Sequence, residues 1–243
     1  MIAAMREKLK SLSVFFPAYN EAANLPTLLA QAEKIFPQYA KKYELLVIDD
    51  GSSDTTAKVL ATLQEKYPHR RVLHHQSNRG YGECLKTGIK AAQYEWIFWT
   101  DADLQFHLAE FSEFAQAAQQ QPLIIGYRLQ RAEGKSRQVL VSVLKFGVDL
   151  LFRLHVRDID CAFKLIRSDL LKNLRLQSGS AFTTSEILYL LKKKKYTIYE
   201  LPVHHYPRRY GEASGAQPRV LLKAFFDALR VYSRSKWRSL KGK

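Results

Sequence analysis

The sequence has little of what would mark a secreted, fibrous or membrane-spanning chain. Its two cysteines, Cys84 and Cys161, have no metal-ligand spacing and are too few for a disulfide framework, which fits a reducing cytoplasm. No apolar run reaches the roughly 18 residues of a membrane span. The opening "MIAAMREKLKSLSVFFPAYN" places charges before an apolar stretch, but "LSVFF" is short and runs into Pro17, so it predicts a first strand and not a signal peptide. Internal repeats, low-complexity tracts and linkers are absent. Also missing is the G-x-G-x-x-G turn of a dinucleotide-binding fold. The turn after the first strand reads "PAYNEAANLP", and the glycines of "NRGYGECLKTG" (78–88) have the wrong spacing and follow the third strand. That excludes the NAD reading, although Asp49 could otherwise hold a ribose. Acidic residues are scarce relative to basic ones, 23 against 38, a net charge of +15. Such a surface predicts an anionic partner: nucleic acid, an anionic membrane face or a phosphorylated substrate. With no helix-turn-helix, RNA-binding aromatic motif or zinc module, nucleic acid is set aside.

What is present is an ordinary globular composition over 243 residues, 47% hydrophobic and 12% aromatic. The first half alternates. Strands are predicted at 12–18, 43–50, 71–75, 95–101 and 123–127. Helices are predicted from Leu25 to Phe36 and at 54–67 (capped by Asp54 or Thr55), 81–93 and 108–121. The pattern predicts an α/β fold with a doubly wound, mainly parallel sheet flanked by helices. Further on come a helix with a wide apolar face at 139–154, a strand or turn at 158–166, a helix at 183–194 ending in Lys192–Lys195, a strand at 196–207 and a last helix at 219–237.

Ligands of such sheets bind outside the carboxyl ends of the strands. Tyr19, Glu21, Asp49, Asp50, Asp101, Asp103 and Arg128 fall there. The stretch "TDADLQ" (100–105) follows the apolar "EWIFW". If it stays extended, Asp101, Asp103 and Gln105 share one side, a row of hard oxygen donors suited to Mg²⁺ or Mn²⁺. A polar loop capping the next helix is the plainer alternative. His74, His75, His204 and His205 read as structural.

Six segments, "FFPAYNEAANLP", "VIDDGSSDTT", "NRGYGECLKTG", "TDADLQ", "GYR" and "DIDCAFK", occur in the order seen in family 2 inverting glycosyltransferases of the GT-A fold. The chain most resembles the dolichol-phosphate mannose synthase branch with its bacterial polyprenyl-phosphate relatives, over about residues 12 to 215. The resemblance implies one domain over 1–243: a nucleotide-sugar-binding half at 12–130, an acceptor-side half at 131–218 and a basic amphipathic helix and tail at 219–243. It implies a donor site of Pro17, Ala18, Tyr19, Glu21, Asp49, Asp50, Asp101, Ala102 and Asp103. Asp50 contacts the nucleoside, with Asp49 as the alternative, since strand neighbours point opposite ways. The implied metal set is Asp101, Asp103 and Gln105, and Asn78, Arg79, Gly80 and Gly82 either line a sugar pocket or simply start a helix.

By the same resemblance a hexose passes from a GDP- or UDP-linked donor to a polyprenyl phosphate. Arg128, Arg208 and Arg209 hold phosphate, and Asp103, Arg128 and Glu186 are the catalytic candidates. A hydroxyl acceptor needs a general base, for which Glu186 is the candidate, though relatives with hydroxyl acceptors carry an acidic pair there. A phosphate monoester, with a second pKa near roughly 6, needs only positioning. Arg208 and Arg209 compete for one motif position, and Gly215 stands where a lysine is usual. A silent nucleotide-sugar-binding scaffold with a membrane-protein partner is the reading outside the class.

In the last helix Leu222, Phe225, Phe226, Leu229 and Tyr232 lie on one side and Arg219, Lys223, Arg230 and Arg234 on the other, before a tail with Lys236, Trp237, Arg238, Lys241 and Lys243. This predicts either a helix on an anionic bilayer or one packed on its own domain. With the 139–154 helix, it places the protein peripherally on the cytoplasmic membrane face.

Overall fold

A computed structural model of the chain describes residues 7–66, 70–129, 151–211 and 218–241. Its strands are β1 (Leu12–Ala18), β2 (Tyr43–Asp49), β3 (Arg70–His74), β4 (Trp96–Trp99), β5 (Leu123–Arg128), β6 (Lys164–Arg167) and β7 (Tyr199–Val203). They form one seven-stranded sheet in the order β3-β2-β1-β4-β6-β5-β7. β6 runs antiparallel to both neighbours and the other pairings are parallel, so the sheet is mixed but mainly parallel, as expected. It takes strands from both halves of the sequence.

The helices are α1 (Leu25–Tyr39), α2 (Thr56–Lys66), α3 (Tyr81–Ala91), α4 (Phe111–Ala117), α5 (Ser168–Lys172), α6 (Thr183–Lys193) and α7 (Pro218–Lys241). Asp54 accepts the Thr56 N–H at 2.8 Å at the start of α2. Three boundaries differ from expectation. The helix expected at 108–121 is a 3-10 turn over Leu108–Glu110 followed by the short α4. The strand or turn expected at 158–166 is irregular up to Phe163, where the chain turns into β6. The strand expected at 196–207 is β7 alone, because residues beyond Val203 leave β5 to pack on another loop. Residues 139–150 of the expected apolar helix, the segment holding Gly215, and Lys243 lie outside the described residues; 151–152 are helical.

Alternation along the strands divides the core. Val14, Phe16 and Phe98 face one side, under α1, α2 and α4; Phe15, Ile97 and Trp99 face the other, under α3, α5, α6 and α7. On the first side Phe163 meets Phe98 and Phe114 edge-on, with centroids 4.7 and 4.8 Å apart; on the second Phe15 stacks on Trp99 at 5.7 Å. Each such pair adds roughly 0.5–1.5 kcal/mol beyond its buried area. This filling fixes the strands, and so fixes where their carboxyl ends present side chains.

Candidate active site

The first two strand ends are stitched together. After β1 the chain turns through Asn20, which has φ 57°. Asn20 Oδ1 accepts the Ser53 N–H at 2.8 Å, and the Asn20 N–H donates to Ser52 Oγ at 2.9 Å. Pro17 and Ala18 are buried within β1, which leaves Tyr19, 36% exposed, as the open residue of this edge. Both carboxylates after β2 have internal partners. Asp49 accepts the Ser52 N–H and hydroxyl and lies 2.8 Å from His74 Nδ1. Asp50 lies 2.6 Å from His75 Nδ1 and accepts the Arg79 and Gly80 N–H groups at 2.9 and 2.8 Å. Asp50 thus braces the turn that starts α3, which agrees with reading Gly80 as a helix start; Gly80 itself has φ 98°.

Beyond β4 the "DADLQ" segment does not stay extended. It bends at 102–104, and Leu104 has φ 60°. The alternation expected for Asp101, Asp103 and Gln105 therefore does not apply. Gln105 donates its side-chain amide to the Tyr206 carbonyl at 2.9 Å. The Ala102 methyl packs in the core, so only its backbone faces outward. Asp101 and Asp103 do come together. Burial, and next the neighbouring Asp103, push the Asp101 carboxyl up to about 7, partly offset by the Tyr81 hydroxyl and the cations Arg128 and Arg208. Tyr81 opens α3, and burial and then Asp101 raise its phenol well above the usual range. Nothing in the spacing of the sequence pairs Tyr81 with a residue twenty positions on, and it was not among the expected site residues.

Arg208 spans the carboxylates. It donates to Glu21 Oε1 at 2.9 Å and to Asp103 Oδ2 at 2.8 Å, and its buried Nε has no hydrogen-bond partner. Burial raises the Glu21 carboxyl, against the opposing pull of Asn24 and Arg208. The segment carrying Arg208 is laid across the bend: the Tyr206 N–H donates to the Gln105 carbonyl at 2.8 Å, and His205 packs on Phe106 with centroids 5.1 Å apart. Of the two adjacent arginines, Arg208 turns inward and Arg209 is exposed.

Arg128, ending β5, makes a two-pronged pair with Asp158, Nε to Oδ2 at 2.6 Å and Nη2 to Oδ1 at 3.0 Å. Burial alone would lower its pKa, but the bonds and charge of Asp158 raise it. The loop bearing Asp158 is held from inside by Lys164, whose ammonium donates to the Ile159 and Cys161 carbonyls and whose pKa burial lowers.

Glu186, the candidate base, is turned inward. It is 1% exposed and accepts the Gln177 N–H at 2.9 and 3.1 Å and the Ser178 N–H at 2.8 Å. Burial raises its pKa, yet its oxygens are committed to a loop. The candidate base thus stands as a brace for the 177–178 loop.

Asp101 and Asp103 fit a divalent cation on two counts. They are hard oxygen donors, and their mutual repulsion in a buried setting is met by a guanidinium on Asp103, a stand-in cation. A second set, Asp50, His75 and Cys84, has ligand atoms within 4.8 Å of one another. There His75 is hydrogen-bonded on both sides, to Asp50 and to Thr87, and burial raises the Cys84 thiol, so the set is already satisfied without an ion.

The profile of "Glycosyl transferase family 2" matches residues 13–175. A dolichyl-phosphate beta-glucosyltransferase of Dictyostelium discoideum is 30% identical over 214 residues, covering 79% of this chain and 65% of that protein. An undecaprenyl-phosphate 4-deoxy-4-formamido-L-arabinose transferase of Photorhabdus laumondii is 28% identical over 226 residues, covering 92% and 68%. The chain therefore spans about two thirds of the length of these relatives. Among solved structures, glucosyl-3-phosphoglycerate synthase from Mycobacterium tuberculosis with Mn²⁺, UDP and glucosyl-3-phosphoglycerate superposes with a TM-score of 0.63 at 17% identity, covering 90% of this chain and 80% of that one. At that identity the likeness shows the fold, which is the GT-A arrangement.

Proposed function

The chain belongs to glycosyltransferase family 2, and from that premise we propose that it transfers a hexose from a nucleotide sugar to a polyprenyl phosphate at the cytoplasmic face of a membrane. The observation that carries the reading is the meeting of Asp101, Asp103, Glu21 and Arg208 at the carboxyl ends of β1 and β4. A divalent cation, Mg²⁺ or Mn²⁺, would be held by Asp101 and Asp103 and would offset charge on the departing nucleoside diphosphate. Tyr81 holds Asp101 in place, and Asp158 holds Arg128, whose charge acts on Asp101 from across β6. Tyr19 is the open residue for the donor's base or ribose. Arg208, with an unpartnered Nε, is the cation available to a phosphate once a ligand draws it from Glu21 and Asp103.

In the reaction an acceptor oxyanion attacks the anomeric carbon, the bond from that carbon to the diphosphate oxygen breaks, and the configuration inverts. A phosphate monoester brings its own oxyanion at neutral pH and needs no base. The internal engagement of Glu186 favours this acceptor over a hydroxyl. The relatives named for dolichyl and undecaprenyl phosphates support the same class.

The test is a transfer assay with Mn²⁺ or Mg²⁺, a panel of GDP- and UDP-sugars, and polyprenyl phosphate in detergent. A sugar-lipid product lost in Asp103→Asn is expected. Metal-dependent release of nucleotide without that product would move the acceptor elsewhere, and tight donor binding without any turnover would leave a silent scaffold.

A further inference from the structure

Three stripes run along α7. At about 100° per residue, Ala224, Asp227, Ala228 and Val231 fall on one side. There Ala228 and Val231 are buried, and Asp227 accepts the Ser178 hydroxyl at 2.8 Å and the Gly179 N–H at 3.3 Å. Tyr232 belongs to this packed side, its ring 5.9 Å from that of Phe152, and not to the apolar row the sequence pattern assigned it. On the second side Leu222, Phe225, Phe226 and Leu229 recur at i, i+3, i+4 and i+7 and are 57, 44, 64 and 42% exposed. The third side carries Arg219, Lys223, Arg230 and Arg234, all exposed, along one edge of the apolar stripe. The helix is therefore both packed on its own domain and open on an apolar face.

Four large apolar side chains in one exposed row are more than a monomer in water ordinarily leaves bare. The face also lies near the site. Lys223 Nζ is 3.9 Å from where a Cβ on Gly80 would stand, and Gly80 donates to Asp50. Asp227 seats α7 on the 178–180 loop, which packs against Gly82, next to Tyr81 and hence to Asp101.

We infer that the Leu222–Leu229 stripe docks the protein on an anionic lipid bilayer. Charge complementarity selects this occupant. The basic row would meet anionic headgroups while the phenyl rings enter the acyl boundary, and the net charge of +15 adds long-range attraction. Antiparallel pairing with a second copy across the same face would bring the two basic rows together at a cost. No helix among the described residues is long and apolar enough to cross a membrane, and the stripe spans only about 10 Å of helix, a depth suited to shallow insertion. The inference rests on the proposed lipid-borne acceptor only in saying why docking serves the site; bilayer binding is read without turnover.

The experiment is co-sedimentation of the full chain with phosphatidylcholine vesicles and with vesicles that also contain phosphatidylglycerol. Binding to the anionic vesicles, weakening as salt rises, is expected. Phe225→Ser with Phe226→Ser should lower partitioning about tenfold or more. Arg219→Gln with Arg230→Gln should lower it about fivefold per charge on anionic vesicles only. These side chains are exposed, so the variants should melt like the parent and bind nucleotide equally well. Nucleotide binding in the same preparations separates the two readings: its absence would sink the proposed activity and leave docking standing. Failure of the parent to bind anionic vesicles, or equal binding by the phenylalanine variant, overturns the inference. So does light scattering that finds a dimer in the parent and a monomer in that variant, since a second copy would then be the occupant.

Discussion

Arg208 holds two carboxylates that a metal-dependent transferase would want for other purposes. Its guanidinium bonds Glu21 and Asp103 in the ligand-free chain, so a cation arriving at Asp103 competes with it. Arg208→Ala should therefore raise the Mn²⁺ affinity of the donor-free protein about tenfold, the worth of one charge-assisted bond, while lowering turnover. Paramagnetic resonance of free Mn²⁺ reads the first effect; weaker Mn²⁺ binding in the variant would show that Arg208 supports the ion instead of opposing it. Glu186 makes the reverse case, a residue that looked chemical and is bonded as a brace. Glu186→Gln puts an NH₂ group against N–H donors and should cost about 1–3 kcal/mol of stability. Turnover per folded molecule should hold, and a folded but inactive variant would restore its role as base. Neither outcome was legible in the sequence. Adjacent Arg208 and Arg209 differ only in which way the 204–211 segment turns them, and helical spacing tells the face of Glu186 but not its partner.

At the scale of elements, the close approach of α3 and α6 is what keeps Tyr81 beside Asp101. Gly82 permits it: a Cβ there would strike Thr183 Oγ1 and the Ser180 carbonyl, and would lie 2.6 Å from the Gly179 carbonyl carbon. Gly82→Ala should destabilise by about 1–3 kcal/mol and, by displacing the first turn of α3, weaken Mn²⁺ binding as well. Thermal melting and Mn²⁺ titration check the pair, and a loss of stability with intact Mn²⁺ affinity would uncouple the helix start from Asp101. The parallel strands could be read because "LSVFFPA", "YELLVID" and "WIFW" are apolar runs buried throughout or nearly so. β6 was legible only as part of a strand or turn at 158–166, because "KLIR" is four residues long and starts with a lysine whose carbonyl partners are set by a loop. The "DADLQ" bend was misread for a related reason. Alternation presumes extended backbone, and only tertiary packing put Leu104 at positive φ.

For the whole molecule, two separately filled faces of one sheet carry the core, and the candidate site lies outside both at the strand ends. Mn²⁺ with a nucleotide at about a hundredfold over its Kd should stabilise by about 2.7 kcal/mol. For a chain of this length that raises the melting temperature by about 5–10 °C, and a chelator should return it to the starting value. No shift with any nucleotide would count against a donor site. The whole-molecule fold was the most legible level, since alternating apolar runs and helical periods dictate a layered sheet. The placement of β6 was not, and it has a consequence of its own. Because this strand lies between β4 and β5, the backbone leading to Asp101 and the end of β5 at Arg128 stand two inter-strand spacings apart, about 10 Å. β6 is thus a ruler. With the two strands adjacent, the backbone of the anionic bend and that of the cation would stand at half that spacing.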